Sequence, residues 1–104
     1  MHTVSDLQQI ISDAFSGIGL EKDPVQLYEP ITYTLELGGK RLRPLLTLMS
    51  CELFGGDIGK AIEPAMGVEI FHNFTLLHDD IMDRAPLRRG NQTVHEKWDI
   101  NTAI

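Results

Sequence analysis

The chain has one cysteine, one tryptophan and no long apolar run, and each scarcity excludes something. With Cys51 alone no internal disulfide can form, so burial and hydrogen bonding must hold the fold. Cys51 lies in an apolar stretch and reads as a small core residue of a reducing compartment. No apolar segment approaches the roughly 20 residues needed to cross a bilayer. The start, Met1-His2-Thr3-Val4-Ser5-Asp6, has no basic region leading into an apolar one, so no secretory signal is visible and the chain reads as cytoplasmic. Positive charge is scarce too: 9 Lys and Arg against 15 Asp and Glu leave a formal net charge of −6. That sign excludes the electrostatic footprint of a nucleic-acid or anionic-membrane binder. Sustained two-residue alternation is missing as well, which predicts no sheet, and no internal repeat is present.

What remains is ordinary globular composition, 42% hydrophobic and 23% charged over 104 residues, enough for one domain. The periodicity is helical throughout. Val4, Leu7, Ile10, Ile11, Ala14 and Phe15 form a stripe behind a cap at Thr3 or Ser5. Asp23 before Pro24 opens a second helix with Leu27, Tyr28, Ile31 and Leu35 on one face, bent at Pro30 and ended by Gly38-Gly39. Pro44 opens a third helix to Phe54, apolar nearly all round and therefore expected deep in the core. Asp57 caps a fourth and longest helix, from about Ile58 to Arg84, kinked or divided at Pro64. Pro86 ends it, Arg88-Arg89-Gly90-Asn91 is a loop, and Thr93 with Glu96 forms a capping box for a final helix. The last residues, Asn101-Thr102-Ala103-Ile104, carry no glycine stop and no basic last turn. The expectation is a single-domain fragment, residues 1–104, of a longer protein cut at Ile104, with apolar helix faces exposed enough to make it associate.

Chemistry concentrates in three places. On the fourth helix Asp79, Asp80 and Asp83 crowd toward one side of the helix end, with His72 aligned above Asp79 and Asp83. Bare carboxylates at that spacing repel, and a hard divalent ion such as Mg²⁺ relieves them. Taken alone, the cluster would as readily be a solvated acidic helix end. Its neighbours Phe74, Leu76, Leu77, Ile81 and Met82 leave that helix little wet surface, and half-buried carboxylates need a partner. The two other places hold six of the nine cations. Gly38-Gly39-Lys40-Arg41-Leu42-Arg43 sets two flexible residues before three cations at a helix start, a loop able to wrap a diphosphate. Arg88-Arg89, after Arg84, offers guanidinium forks that suit phosphate oxygens. Each basic run alone would be a solvated turn; with the carboxylates they describe a site for two anionic groups, one bridged through metal.

The order Gly-Gly-Lys-Arg-x-Arg-Pro, His72 seven positions before Asp-Asp-x-x-Asp, Arg-Arg-Gly, then Trp-Asp-x-Asn-Thr-Ala-Ile resembles the trans-isoprenyl diphosphate synthases, or polyprenyl synthetases, over about residues 35 to 104. The resemblance implies an all-α antiparallel helix bundle of the isoprenoid synthase type, here its N-terminal helices, and a Mg²⁺-dependent prenyltransferase. Isopentenyl diphosphate and an allylic diphosphate are the implied substrates, a homodimer the implied assembly of the whole protein, and no nucleic acid or transmembrane segment is involved. It makes Asp79, Asp80 and Asp83 the first aspartate-rich motif, with Asp79 and Asp83 as the direct metal ligands. Lys40, Arg43 and His72 become binders of isopentenyl diphosphate with Arg89 assisting, and Arg88 the contact to the allylic diphosphate. Phe74 and Thr75, five and four positions before the first aspartate, are the positions that set product length. Phe74 is either a cavity floor, which favours a product of farnesyl or geranylgeranyl size, or plain core. The family's second aspartate-rich motif is missing from these residues, so the chain alone is expected to be inactive. Two rivals, a class I terpene cyclase and a non-catalytic helical subunit of a heteromeric synthase, are disfavoured: the basic glycine loop is superfluous in the first, and a full set of diphosphate ligands in the second.

Overall fold

A computed structural model describes all of residues 1–104. Its helices are α1 (Val4–Ser16), α2 (Val25–Glu36), α3 (Leu42–Leu53), α4 (Ile62–Met82), α5 (Val94–Lys97) and α6 (Ile100–Ala103), with one 3₁₀ turn at Ile58–Lys60. The expected all-α architecture is observed. No helix is long and apolar enough to cross a membrane. The residues divide into two compact units: Met1–Ile18 with Lys40–Ile70, and Gly19–Gly39 with Phe71–Ile104.

In the first unit α1 packs on α3. Thr3 starts α1 through a capping box: its hydroxyl accepts from the Asp6 N–H while the Asp6 carboxylate accepts from the Thr3 N–H at 3.0 Å. Of the predicted stripe Leu7, Ile11 and Phe15 are buried, and Val4, at the helix start, is half exposed. From α3, Pro44, Leu45 and Leu48 are buried, but Leu42, Leu46, Met49 and Leu53 are not. The deep burial expected for α3 is therefore corrected: one side is covered and the other is open. The Asp57 side chain does cap, but at the 3₁₀ turn, accepting from the Gly59 N–H at 2.9 Å. The long helix begins only at Ile62, so Pro64 sits in its first turn, where a missing N–H costs nothing, and no division occurs there.

In the second unit α2 packs on α6, and α5 adjoins α6. Helix α2 is flanked by Pro24 and not by the expected Asp23 cap; no side chain caps it. Tyr33 on α2 is the organising aromatic. Its hydroxyl donates to the Gln92 carbonyl at 2.6 Å, its ring meets Trp98 edge to face at 5.2 Å, and the Lys97 ammonium lies 4.2 Å from its centroid. The prediction of no sheet is corrected by a minimal one: Leu87–Arg88 (β1) pairs antiparallel with Asn91–Gln92 (β2). Arg89 and Gly90 both have positive φ, 52° and 78°, which makes the link a type I′ turn and bends the expected loop into a hairpin. The Thr93–Glu96 capping box is also absent. The buried Thr93 hydroxyl donates instead to the Ala85 carbonyl at 2.8 Å, closing the hairpin base. The expected single last helix breaks at Trp98–Asp99, and Asp99 caps its second half by accepting from the Thr102 N–H at 2.7 Å.

Two outcomes follow. Leu48 is fully buried, and Leu48→Ala should cost about 2–5 kcal/mol by urea denaturation, from lost transfer energy and the cavity left behind. Hydrogen bonds to the ionised forms hold the Asp6, Glu52 and Asp99 carboxyls below the usual range. Lowered folded values mean stability that is complete above the ordinary carboxylate range and lost as the pH falls through the lowered values. Urea midpoints should fall on acidification, and Asp99→Asn should shrink that fall.

Candidate functional site

The end of α4 and the hairpin after it build the candidate site. Helix α4 stops in a Schellman arrangement: the Ala85 N–H donates to the Asp80 carbonyl at 3.0 Å and the Arg84 N–H to the Ile81 carbonyl at 3.2 Å. That motif wants a left-handed residue, usually glycine, and here Arg84 takes it with φ 52°. The chain then turns back through Pro86 into the hairpin, which returns Arg88 to the helix it has just left.

Arg88 grips Asp80. Its Nε donates to Oδ2 at 2.8 Å and to Oδ1 at 3.1 Å, and its Nη2 donates to Oδ1 at 2.7 Å, a bidentate fork. Asp80 is 4% exposed, so its charge needs such a partner. The fork raises the Arg88 pKa, by the hydrogen bonds to Asp80 foremost and by the charges of Asp80, Asp79 and Asp83 as well, with burial acting against them. Asp79 and Asp83 are exposed one helical turn apart, outside the fork. The aspartate motif is thus divided: one carboxylate is a structural anchor and two face outward.

Arg89 goes elsewhere. Its Nη1 donates to the Gly38 carbonyl, and its guanidinium lies so close over Gly39 that a Cβ there would meet Cζ and Nη2 at 2.7 Å. Gly38 and Gly39 have φ of 74° and 114°, so both the backbone path and the approach of the arginine require glycine. Two of the predicted elements, the glycine loop and the arginine pair, are therefore in contact. Tyr33, which sequence reasoning passed over, ties the same hairpin to α2 through Gln92. Its only signal was an aromatic on the helix that leads into Gly38-Gly39.

The remaining predicted residues are placed as follows. His72 is half-buried on α4, and its carbonyl accepts from the Thr75 hydroxyl at 2.6 Å, so Thr75 is turned onto its own helix. Phe74 is 49% exposed, stacked on Phe71 at 5.8 Å and edge-on to His78 at 4.4 Å. His78, also passed over, points Nδ1 at the Phe74 carbonyl at 3.1 Å. A carbonyl can only accept, so Nδ1 carries a proton. Lys40 and Arg43 belong to the first unit and are exposed at the start of α3. There Arg41, left-handed at φ 48°, precedes the helix and lays its guanidinium 4.5 Å over the Phe15 ring.

Removing one half of the fork strands the other. Asp80→Ala should cost about 2–4 kcal/mol in urea denaturation because Arg88 is left partly buried without a counter-charge. Asp79→Ala should change stability by no more than about 0.5 kcal/mol. Arg84→Gly should raise it by about 1 kcal/mol, the relief of a left-handed non-glycine residue.

The family model "Polyprenyl synthetase" matches residues 24–104. A geranylgeranyl pyrophosphate synthase of Geoglobus acetivorans is 45% identical over 101 residues, 97% of this chain and 32% of that protein. A geranylgeranyl diphosphate synthase of Saccharolobus solfataricus is 54% identical over 78 residues, covering 75% and 24%. A solved geranylgeranyl pyrophosphate synthase superposes with a TM-score of 0.94 at 53% identity over 99% of this chain and 32% of that one. The chain spans about a third of the length of the first of these relatives. On the family match and these relatives together, the chain belongs to the polyprenyl synthetase family.

Proposed function

We propose that the chain is the part of an isoprenyl diphosphate synthase, of geranylgeranyl type, that carries the first aspartate-rich motif. The parent reaction joins isopentenyl diphosphate to an allylic diphosphate with Mg²⁺, in a protein that assembles as a homodimer. The observation that carries this reading is the unequal treatment of three aspartates: Asp80 is consumed by Arg88, while Asp79 and Asp83 stand exposed a turn apart. Mg²⁺ takes one or two carboxylates and completes its shell with water and substrate phosphate, and Asp79 with Asp83 fit that demand. No three His, Cys, Asp or Glu side chains gather to enclose an ion by themselves. Bound there, the ion would neutralise charge on a departing diphosphate.

The chain's own residues supply the rest. Arg89, already seated on the Gly38–Gly39 backbone, presents a guanidinium fork beside flexible N–H groups, a surface for diphosphate oxygens. Arg88 contacts the allylic diphosphate by sharing its donors between that ligand and Asp80. Lys40, Arg43 and His72 hold isopentenyl diphosphate, a role that rests on their place in the motif order. Phe74, half exposed beside Phe71, lines the apolar space for the growing chain and with Thr75 sets its length; the geranylgeranyl names of the relatives support a product of that size.

The whole reaction belongs to a protein of the relatives' length, and the 104 residues alone are inactive. Labelled isopentenyl diphosphate, an allylic primer and Mg²⁺ should give no product with the chain alone; appreciable turnover would overturn that statement. Calorimetry should register Mg²⁺-dependent binding of the allylic diphosphate. Asp79→Ala with Asp83→Ala should abolish it, and binding that persists in that variant would refute the carboxylate role.

A further inference from the structure

We infer that Arg41 is a positioning residue: by seating its guanidinium on Phe15 it fixes the chain at the start of α3, so that Lys40 and Arg43 on either side of it are set in place for a diphosphate. The inference deepens the isopentenyl diphosphate role proposed for those two residues and rests on it. By residue type the three cations of Lys40-Arg41-Leu42-Arg43 are alike. In the structure they are not. Lys40 and Arg43 are exposed, whereas Arg41 is half-buried with its Cζ 4.5 Å from the centroid of the Phe15 ring. Phe15 is only 7% exposed on α1 and belongs to the same compact unit. Its ring is therefore a fixed platform for a flat cation.

Local chemistry works against arginine at this position. Its φ of 48° and ψ of 44° are left-handed, a region unfavourable to any residue with a Cβ. Residue 41 is also the N-cap of α3, yet arginine is not a capping residue and no side chain caps that helix. Its charge adds to those of Lys40 and Arg43 at the positive end of the helix dipole. Glycine would suit the backbone better. What arginine brings is an anchor, because the contact with Phe15 ties residue 41 to α1. The Arg41 carbonyl accepts from the Leu45 N–H at 3.3 Å as α3 begins, so a fixed residue 41 sets both how Lys40 arrives and how α3, with Arg43, departs. Cations held in this way bind more tightly than cations the ligand must first order.

The test is calorimetry of isopentenyl diphosphate with the whole chain and its variants, each checked for retained helicity by circular dichroism. Arg41→Gly and Phe15→Leu should each weaken binding about 3- to 10-fold. The double variant should bind no more weakly than Arg41→Gly alone, since both changes remove one contact. Phe15→Leu alters no charge, so if Arg41 touched the diphosphate directly that variant would bind as the wild type does. Nuclear magnetic resonance reads the contact without ligand: the Phe15 ring current should move the Arg41 Cδ protons upfield, and the shift should vanish in Phe15→Leu. An unshifted Arg41 signal, an unaltered affinity in Phe15→Leu or additive losses in the double variant would overturn the inference and leave the ligand role of Lys40 and Arg43 standing. Absence of binding by the wild-type chain would overturn both.

Discussion

Asp80 is a carboxylate held out of water, and a carboxylate in that position must be answered by a charge. Arg88 answers it from eight residues downstream, with three short hydrogen bonds. For the arginine to arrive there the chain must reverse twice in quick succession. The first reversal is the left-handed Arg84 that ends α4, and the second is the type I′ turn at Arg89–Gly90. Thr93 then ties the hairpin base to Ala85, and Tyr33 ties its outer strand to α2. The geometry of the second unit's chemical groups follows from this one neutralised charge.

That constraint also sorts neighbouring residues of the same type into different tasks. Adjacent arginines diverge, Arg88 toward the helix and Arg89 onto the glycine backbone. Adjacent aspartates diverge too, since a helix turns about 100° per residue and only one of the pair can point into the fork. In the proposed metal role, the two exposed carboxylates would be held in a steadier orientation by a third fixed behind them.

Much of this was legible in the residues. Most of the α1 stripe, a cap at Thr3, one of the two expected candidates, the helix stop before Gly38-Gly39 and the end of the long helix, expected near Arg84 and found at Met82, are local signals. The chemical residues were legible as a set, through spacing and order. Their individual partners were not. Thr93 and Glu96 matched a capping box, yet a buried carbonyl at Ala85 took the hydroxyl instead. Arg88-Arg89-Gly90-Asn91 read as a loop because a two-residue strand has too few positions to show alternation. Helix α3 read as buried because pattern reports what a helix is suited to, while burial depends on what covers it.

By itself the sequence determined the helical class and most of the breaks between helices, because periodicity, glycine and proline act within a few residues. Tertiary structure alone decided which aspartate is spent as an anchor, that Arg89 rests on Gly39, and that Tyr33 holds the hairpin. These are contacts between residues up to 59 positions apart. Such pairs are chosen by competition among all buried donors and acceptors for partners, and that competition exists only once the chain has folded.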